Sequence, residues 1–200
     1  MLLSMSDTSH ALRLLVGPHP PRADAERNVS ALLTATRGFV AAGELNPSAA
    51  QIAEAAGVGV GTLYRRALGK EALLAAVVIE LLDEVCERAK DQAGESWAEF
   101  ERFAIDYIRI REVTCSITHA LDRELDGGLA DAKRRTRAAF ESLTRRLQDA
   151  QLLDASIEPA DLMVVLASID LTDDTLGLEP DEARRQRVVR RLLSSLRRQV

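Results

Sequence analysis

Apolar residues recur at intervals of three and four positions from residue 24 onwards, which is the spacing of one face of an α-helix. In the first such stretch Val29, Leu32 and Leu33 follow this spacing, and Gly43 then ends the helix as a candidate C-cap. No stretch shows the alternation of period two that predicts a β-strand. The pattern therefore predicts an all-α protein.

Helix-start signals divide the rest of the chain. Ser48 is a favourable N-cap for a short helix that Gly57 ends, Ser96 opens a capping box, and Pro159 and Pro180 are suited to first helical turns. We expect a loop at residues 126–128. Each predicted helix has an apolar face. The predicted helices cover residues 24–42, 49–56, 60–66, 71–90, 96 onwards, 129–151, 159–176 and 180–198.

The composition supports this prediction and excludes several classes of protein. The chain has 200 residues, of which 46% are hydrophobic and 4% are aromatic. Few aromatic residues argue against a platform that stacks single-stranded bases. Only Cys86 and Cys115 are present and they form no CxxC pair, so a reducing cytoplasm is expected rather than a disulfide framework.

We expect no targeting or membrane segment. The apolar patch Leu12–Val16 lacks a basic start and a small-residue cleavage site, so it is a poor signal peptide. No apolar run approaches the ~20 residues that span a membrane. Residues 1–21 are expected to form a disordered tail of a cytoplasmic protein.

Three glycines interrupt the helical pattern between residues 52 and 73, in the stretch IAEAAGVGVGTLYRRALGKEAL. A glycine inside a helix costs about 1 kcal/mol relative to alanine, so these need a reason. Two short helices joined by a glycine turn and packed on a third helix form a helix-turn-helix unit. Gly57 then fits the turn at positive φ, and Gly59 fits the next N-cap. Gly61 leaves the outer helix face open to a grooved partner.

The charge distribution suggests which partner this is. The net charge is −5, yet residues 22–70 hold six cationic and four acidic residues. The excess positive charge of this segment has the sign required to bind phosphates. Val60 and Thr62 are expected to face base edges, and Tyr64, Arg65 and Lys70 to contact phosphates. The predicted DNA-contacting residues are Ser48, Gly59, Val60, Gly61, Thr62, Tyr64, Arg65, Arg66 and Lys70.

The stretch NPSAAQIAEAAGVGVGTLYRRALGKEAL, with the helix before it, resembles the DNA-binding domain of TetR-family transcriptional regulators over residues 22–78. The resemblance implies a nine-helix all-α fold, in which a three-helix unit precedes a helical bundle for ligand binding and dimerisation. It also implies domains over residues 22–72 and 73–200. Two residues depart from the family pattern: Ala67 stands where the family usually has phenylalanine, and Gly59 where it often has serine or threonine.

The expected function is that of a repressor that binds a palindromic double-stranded DNA operator as a homodimer. An unknown small-molecule effector would release it, and no cofactor is expected. The alternative is a helical dimerisation protein with a vestigial effector site. A strong fall of DNA affinity with salt would favour the regulator. An enzyme is not expected, since no paired carboxylates, nucleophile motif or phosphate loop is present.

The last two helices are expected to form the dimer interface. Each has an apolar face, and the Ala160–Asp161 segment and the arginine- and leucine-rich last helix are similar to the family's dimerisation pair. Two such helices from each subunit would make a four-helix contact. The predicted interface residues are Leu162, Val165, Leu166, Ile169, Val188, Val189, Leu192, Leu193 and Leu196.

The concentration of aromatic residues after position 95 suggests an apolar effector pocket, although for any single one of them an ordinary core position is the favoured interpretation. Cys115, His119, Asp122 and Glu124 lie close enough in sequence to suggest a metal site, but no second cluster accompanies them and none is expected. The predicted pocket residues are Trp97, Phe100, Phe103, Tyr107, Cys115, His119, Phe140 and Met163.

Overall fold

The computed structural model describes residues 23–67, 69–91, 96–121, 127–169 and 181–198, together with residues 15, 177 and 179. Within these residues the regular structure is helical, so the all-α prediction is confirmed. Eight helices are described where the resemblance implies nine. They are α1 (Ala23–Ala41), α2 (Ala49–Ala55), α3 (Val60–Ala67), α4 (Lys70–Asp91), α5 (Trp97–Ala120), α6 (Gly127–Asp149), α7 (Pro159–Ser168) and α8 (Glu182–Ser194).

The chain divides into two compact units. The first comprises residues 1–84 and 113–133, and the second comprises residues 85–112 and 134–200. Helices α4, α5 and α6 each contribute residues to both units. The expected functional division at residue 72 stays a prediction, because packing defines these units and function does not.

The core of the first unit forms where α1 packs against α2 and α3. Leu32 of α1, Ile52 of α2 and Leu63 of α3 are each 0% exposed. Thr36 is buried among them, and its hydroxyl donates to the Leu32 carbonyl at 2.8 Å. This bond satisfies a polar group that would otherwise be costly to bury. The apolar spacing of α1 is therefore that of its inward face, as predicted.

An ion pair joins α1 to α4 in the first unit. The Nε of Arg37 donates to Oε2 of Glu80 at 2.6 Å, and its Nη2 donates to Oε1. The two side chains are 28% and 10% exposed. A two-bond pairing of this kind restricts orientation as well as distance. The end of α1 is thereby held against the middle of α4.

In the second unit, arginines fix the end of α4. The guanidinium of Arg146 on α6 donates to the backbone carbonyls of Ala89 and Lys90, which belong to the last turn of α4. Arg88 of the same turn donates to Asp106 of α5 at 2.7 Å. The last carbonyls of a helix lack partners within the helix, so Arg146 acts as a C-terminal cap.

Several helix ends differ from the sequence prediction. Helix α6 begins at Gly127, so the predicted loop at 126–128 is wrong at its last two residues. The predicted extension to residue 151 is also wrong, because Gln151 adopts a left-handed φ of 58°. Helix α7 ends at Ser168, since Ile169 is extended with ψ at 99°. Residues 170–176 of that prediction lie outside the described residues.

The last predicted helix is shorter at both ends. Asp181 is its N-cap and accepts from the Arg184 backbone N–H at 3.1 Å, and Pro180 lies outside the described residues. After Ser194 the chain turns, and Arg197 forms an isolated antiparallel bridge with Leu153. The predicted helix to residue 198 is therefore wrong. The predicted tail, residues 1–21, lies outside the described residues except for residue 15.

Candidate nucleic-acid interface

The turn between α2 and α3 is built on glycine, as predicted. Gly57 has a φ of +68°, which side-chain-bearing residues rarely adopt. The N–H of Val58 donates back to the Ala53 carbonyl at 3.0 Å, so the end of α2 is closed by the turn itself. Gly59 then caps α3, because its carbonyl accepts from the Thr62 N–H at 2.8 Å. The turn sets the direction of α3 relative to α2.

A reciprocal cap fixes the start of α2. The Ser48 hydroxyl accepts from the Gln51 backbone N–H at 3.2 Å, and the Gln51 side chain accepts from the Ser48 N–H at 2.8 Å. The predicted N-cap role of Ser48 is confirmed. The Gln51 amide also donates to Glu44 at 2.9 Å. The segment leading into α2 is thus held by side chains at both of its ends.

Helix α3 has one buried face and one outward face. Leu63 is fully buried, Thr62 is half-buried, and Val60 and Tyr64 are 40% and 59% exposed. Gly61 and Arg65 are also exposed and lie beside the other two at the helical spacing of four. The outward face, defined by Val60, Gly61, Tyr64 and Arg65, thus contains four of the predicted contact residues.

Gly61 has no reason within the fold to be glycine. Its φ is not in the left-handed region, and an added Cβ would meet no neighbouring atom within 4 Å. Gly69, between α3 and α4, differs in both respects. Its φ is +111°, and an added Cβ would lie 3.0 Å from the Glu71 carboxylate. Gly69 is required by the turn, whereas Gly61 only keeps the outward face flat.

The cationic groups of Arg65 and Lys70 each donate a hydrogen bond within the protein. The Nε of Arg65 donates to the Gly61 carbonyl at 3.0 Å, so the guanidinium lies along the helix surface. The Lys70 ammonium donates to the Asn46 side-chain oxygen at 2.7 Å. Helix α3 contains no acidic residue to oppose these charges. The side chains of Arg66 and Ala67 lie outside what the structure describes.

Asn46 was not among the predicted contact residues. Its sequence context, Asn-Pro-Ser, is an ordinary turn, so no local pattern distinguishes it. Its contact with Lys70 joins residues 24 positions apart and appears only in the folded chain.

The motif matches the model of the family described as bacterial regulatory proteins, tetR family, over residues 32–77. The chain is also similar to a solved structure, a TetR transcription regulatory protein from Mycobacterium vanbaalenii. The two are 26% identical with a TM-score of 0.61, over 89% of this chain and 99% of that one. Both comparisons support a DNA-binding transcriptional regulator that is similar to the TetR family.

Two more distant solved structures share the fold. A transcriptional regulator from Streptomyces coelicolor is 21% identical, with a TM-score of 0.60, over 86% of this chain and 99% of that one. NalD, the secondary repressor of the MexAB-OprM multidrug efflux pump in Pseudomonas aeruginosa, is also 21% identical. Its TM-score is 0.51, over 88% of this chain and 98% of that one. No curated protein sequence matches this regulator.

The predicted effector-pocket residues do not all lie in one unit. In the second unit Phe103, Tyr107 and Phe140 are buried and contact one another, with the Tyr107 and Phe140 ring centroids 4.8 Å apart. Cys115 and His119 belong to the first unit, where the His119 ring nitrogen lies 3.0 Å from the Cys115 carbonyl. The remaining three are Trp97 and Phe100, whose rings are 5.1 Å apart, and Met163, which is half-buried. The pocket stays a prediction.

Most of the predicted dimer residues face inward. Within one protomer only Val188 and Leu192 are clearly exposed, at 39% and 45%, and Val165 is half-buried. Val164, which the sequence analysis did not select, is 66% exposed. The periodicity identified the apolar residues of each helix, but it did not show which of them are buried within the protomer. The residues corrected to core positions are Leu162, Leu166, Ile169, Val189, Leu193 and Leu196.

The described residues contain no group of three or more histidine, cysteine, aspartate or glutamate side chains that could hold a metal ion. Asp122 and Glu124, which the sequence analysis considered with Cys115 and His119, lie outside the described residues. Among the described helices none is long and apolar enough to cross a membrane.

Proposed function

We propose that this regulator is a homodimeric repressor that binds a palindromic operator through α3 and leaves it when a small molecule binds. The observation that carries the proposal is the outward face of α3. It combines Val60 and Tyr64, an arginine and a glycine that the fold does not need. A helix backbone that can approach closely, in a helix that holds cations and no acid, suits the major groove of DNA.

Each of the predicted DNA-contacting residues has a proposed role. Val60 and Thr62 meet base edges or thymine methyl groups, which carry sequence information. Tyr64, Arg65, Arg66, Lys70 and Ser48 contact phosphates, which fix position and not sequence. Gly59 and Gly61 allow the backbone to come close to the groove.

The proposed dimer surface consists of the exposed residues Val164, Val188 and Leu192. Helix α7 is apolar on both sides, since Leu162 and Leu166 are buried within the protomer while Val164 points away from it. Exposed apolar residues that form a patch often mark a protein–protein contact. A second copy of the chain, related by two-fold symmetry, would cover this surface. NalD, a repressor by its name, shares the fold and is consistent with the proposed direction of control.

For the effector, the aromatic group Phe103, Tyr107 and Phe140 offers an apolar surface that a ligand would have to enter by separating the rings. Ligand and operator must then weaken each other by the same factor, because coupling between two sites is reciprocal. Equal factors measured for hits from a thermal-shift screen would support release by ligand, and unchanged operator affinity would contradict it.

Selection of bound duplexes from random DNA with the purified protein tests the proposal. A two-fold symmetric site is expected, with half-sites about 34–36 Å apart or a multiple of that spacing. Recovery of no enriched sequence, together with dimers whose self-association does not depend on salt, would favour the dimerisation protein instead. Binding that falls steeply with salt would favour the regulator.

A further inference from the structure

A side-chain hydrogen bond joins the turn before α2 to the first residue of α4. Asn46 lies in that turn and is exposed, and Lys70 begins α4 and is half-buried. The ammonium donates to the Asn46 oxygen at 2.7 Å. A hydrogen bond from a charged donor is stronger than one between neutral groups. The position of the ammonium therefore depends on Asn46.

The contact also determines which way the Asn46 amide faces. An ammonium has three donors and no acceptor, so only the amide oxygen can face it. The NH2 group of Asn46 must then point away from Lys70 and, since Asn46 is exposed, towards solvent. The pair thus presents the remaining ammonium donors together with two neutral amide donors.

The surroundings suit an anion. Lys70 is the first residue of α4, where the helix dipole favours negative charge. Two carboxylates, those of Glu44 and Glu71, lie nearby in sequence. Glu44 accepts from the Gln51 amide at 2.9 Å, and the Glu71 carboxylate lies over Gly69.

We propose that Asn46 and Lys70 form a composite phosphate-binding subsite, in which Asn46 positions the ammonium and donates its own amide hydrogens to the same DNA phosphate. This inference rests on the proposed DNA-binding function. It assigns a role to a residue that carries no charge and that the motif pattern does not select. A phosphate contact is independent of sequence, so the subsite should act on every duplex alike.

A double-mutant cycle tests whether the two residues act as one unit. Asn46→Ala, Lys70→Ala and the double variant are titrated with the selected duplex and with an unselected duplex of equal length. In the wild-type background Asn46→Ala is expected to weaken binding to both duplexes by about tenfold, and in the Lys70→Ala background by no more than about threefold, because only the amide contact of Asn46 is then lost. Equal losses in both backgrounds would overturn the subsite.

Asn46→Asp separates this role from a purely structural one. The aspartate still accepts from Lys70 and keeps the turn, but it neutralises the ammonium and removes the amide donors. The slope of log affinity against log salt is expected to become shallower by about 0.9, the value of one lost phosphate contact. Ser142→Asp, on the exposed side of α6 in the second unit, adds the same charge and should leave the slope unchanged. Thermal unfolding of each variant verifies its fold.

The outcomes distinguish the subsite from the function on which it rests. If the wild-type protein binds no duplex at any salt concentration, the proposed function fails and the subsite fails with it. If the wild type binds but Asn46→Asp keeps the wild-type salt slope, only the subsite is overturned.

Discussion

Helices α3 and α7 both expose a valine, and the surroundings of the two valines differ. Val60 of α3 is 40% exposed and stands beside Gly61, Tyr64 and Arg65, in a helix without acidic residues. Val164 of α7 is 66% exposed, in a helix that contains no lysine or arginine and that is apolar on its other side as well. An exposed apolar side chain therefore does not by itself indicate which kind of partner would cover it.

The difference indicates two kinds of partner. A face that mixes one apolar side chain, a flat backbone and cations is complementary to a groove edged by phosphates. A face with an exposed valine and no cation is better suited to another apolar face, and in the proposed dimer a second copy of the chain would supply one. The residues around Val60 and Val164, rather than their exposure, distinguish these two faces.

The largest effect is expected from a charge on α7. Val164→Glu places an unpaired carboxylate in the proposed apolar seam, and its cost should separate the protomers. Because a monomer holds only one half-site, operator affinity should fall by about 100-fold or more. Sedimentation measures the mass, and Leu192→Glu is an independent second variant. Ser142→Glu is the charge control, and a dimeric Val164→Glu protein would place the interface elsewhere.

The matched substitution introduces the same charge on α3. Val60→Glu should remain dimeric yet lose about 1–3 kcal/mol of operator binding, because a carboxylate replaces an apolar contact with a base. Fluorescence anisotropy with the selected duplex measures the loss. Val60→Thr keeps a methyl group and should bind nearly as well as wild type. Loss of the dimer in Val60→Glu would mean that the two helices do not have separate partners.

A smaller effect is expected from the phosphate contacts. Lys70→Ala should weaken binding to selected and unselected duplexes by the same factor, and it should reduce the salt slope by about 0.9. Lys90→Ala removes the same kind of residue from the other end of α4 and serves as the control. A Lys70→Ala protein with the salt slope of wild type would remove Lys70 from the interface.

The smallest effect is the most specific to the outward face. Gly61→Ala should stabilise the fold by about 0.5–1 kcal/mol, because glycine in a helix costs roughly that much and an added Cβ has open space. The same substitution should weaken operator binding, because the methyl group holds the backbone away from the groove. Gly38→Ala, in α1, has equally open space and should give the stability gain alone.

If Gly61→Ala is stabilised and also binds as tightly as wild type, the flat face has no role in binding. Chemical denaturation and duplex titration on the same samples provide both measurements.

The helix-turn-helix could be predicted from sequence because its constraints are local. Gly57 must turn at positive φ, Ser48 must cap α2, and Leu63 must fill a small core, and each requirement limits the residue at its own position. The proposed dimer surface does not follow from the sequence in this way. Since α7 has apolar residues on its buried and its exposed sides, its periodicity does not distinguish Leu162, which is buried, from Val164, which is exposed.

Long-range contacts account for the other differences. The end of α8 was predicted as helix because Arg197 continues an amphipathic pattern, but its backbone pairs with Leu153, 44 positions earlier in the chain. The Asn46–Lys70 contact is equally invisible to a local reading. Both contacts join residues that are far apart in sequence, so a pattern of neighbouring residues does not reveal them.

The ion pair between Arg37 and Glu80 has a consequence for how the sequence can diverge. The two residues are 43 positions apart, and their side chains are 28% and 10% exposed. Replacing one alone leaves a partly buried charge without this partner, which is costly, whereas replacing both by apolar residues is far less so. Positions 37 and 80 are therefore expected to change together among relatives. Covariation at these two columns would record the contact between α1 and α4 in any alignment deep enough to measure it.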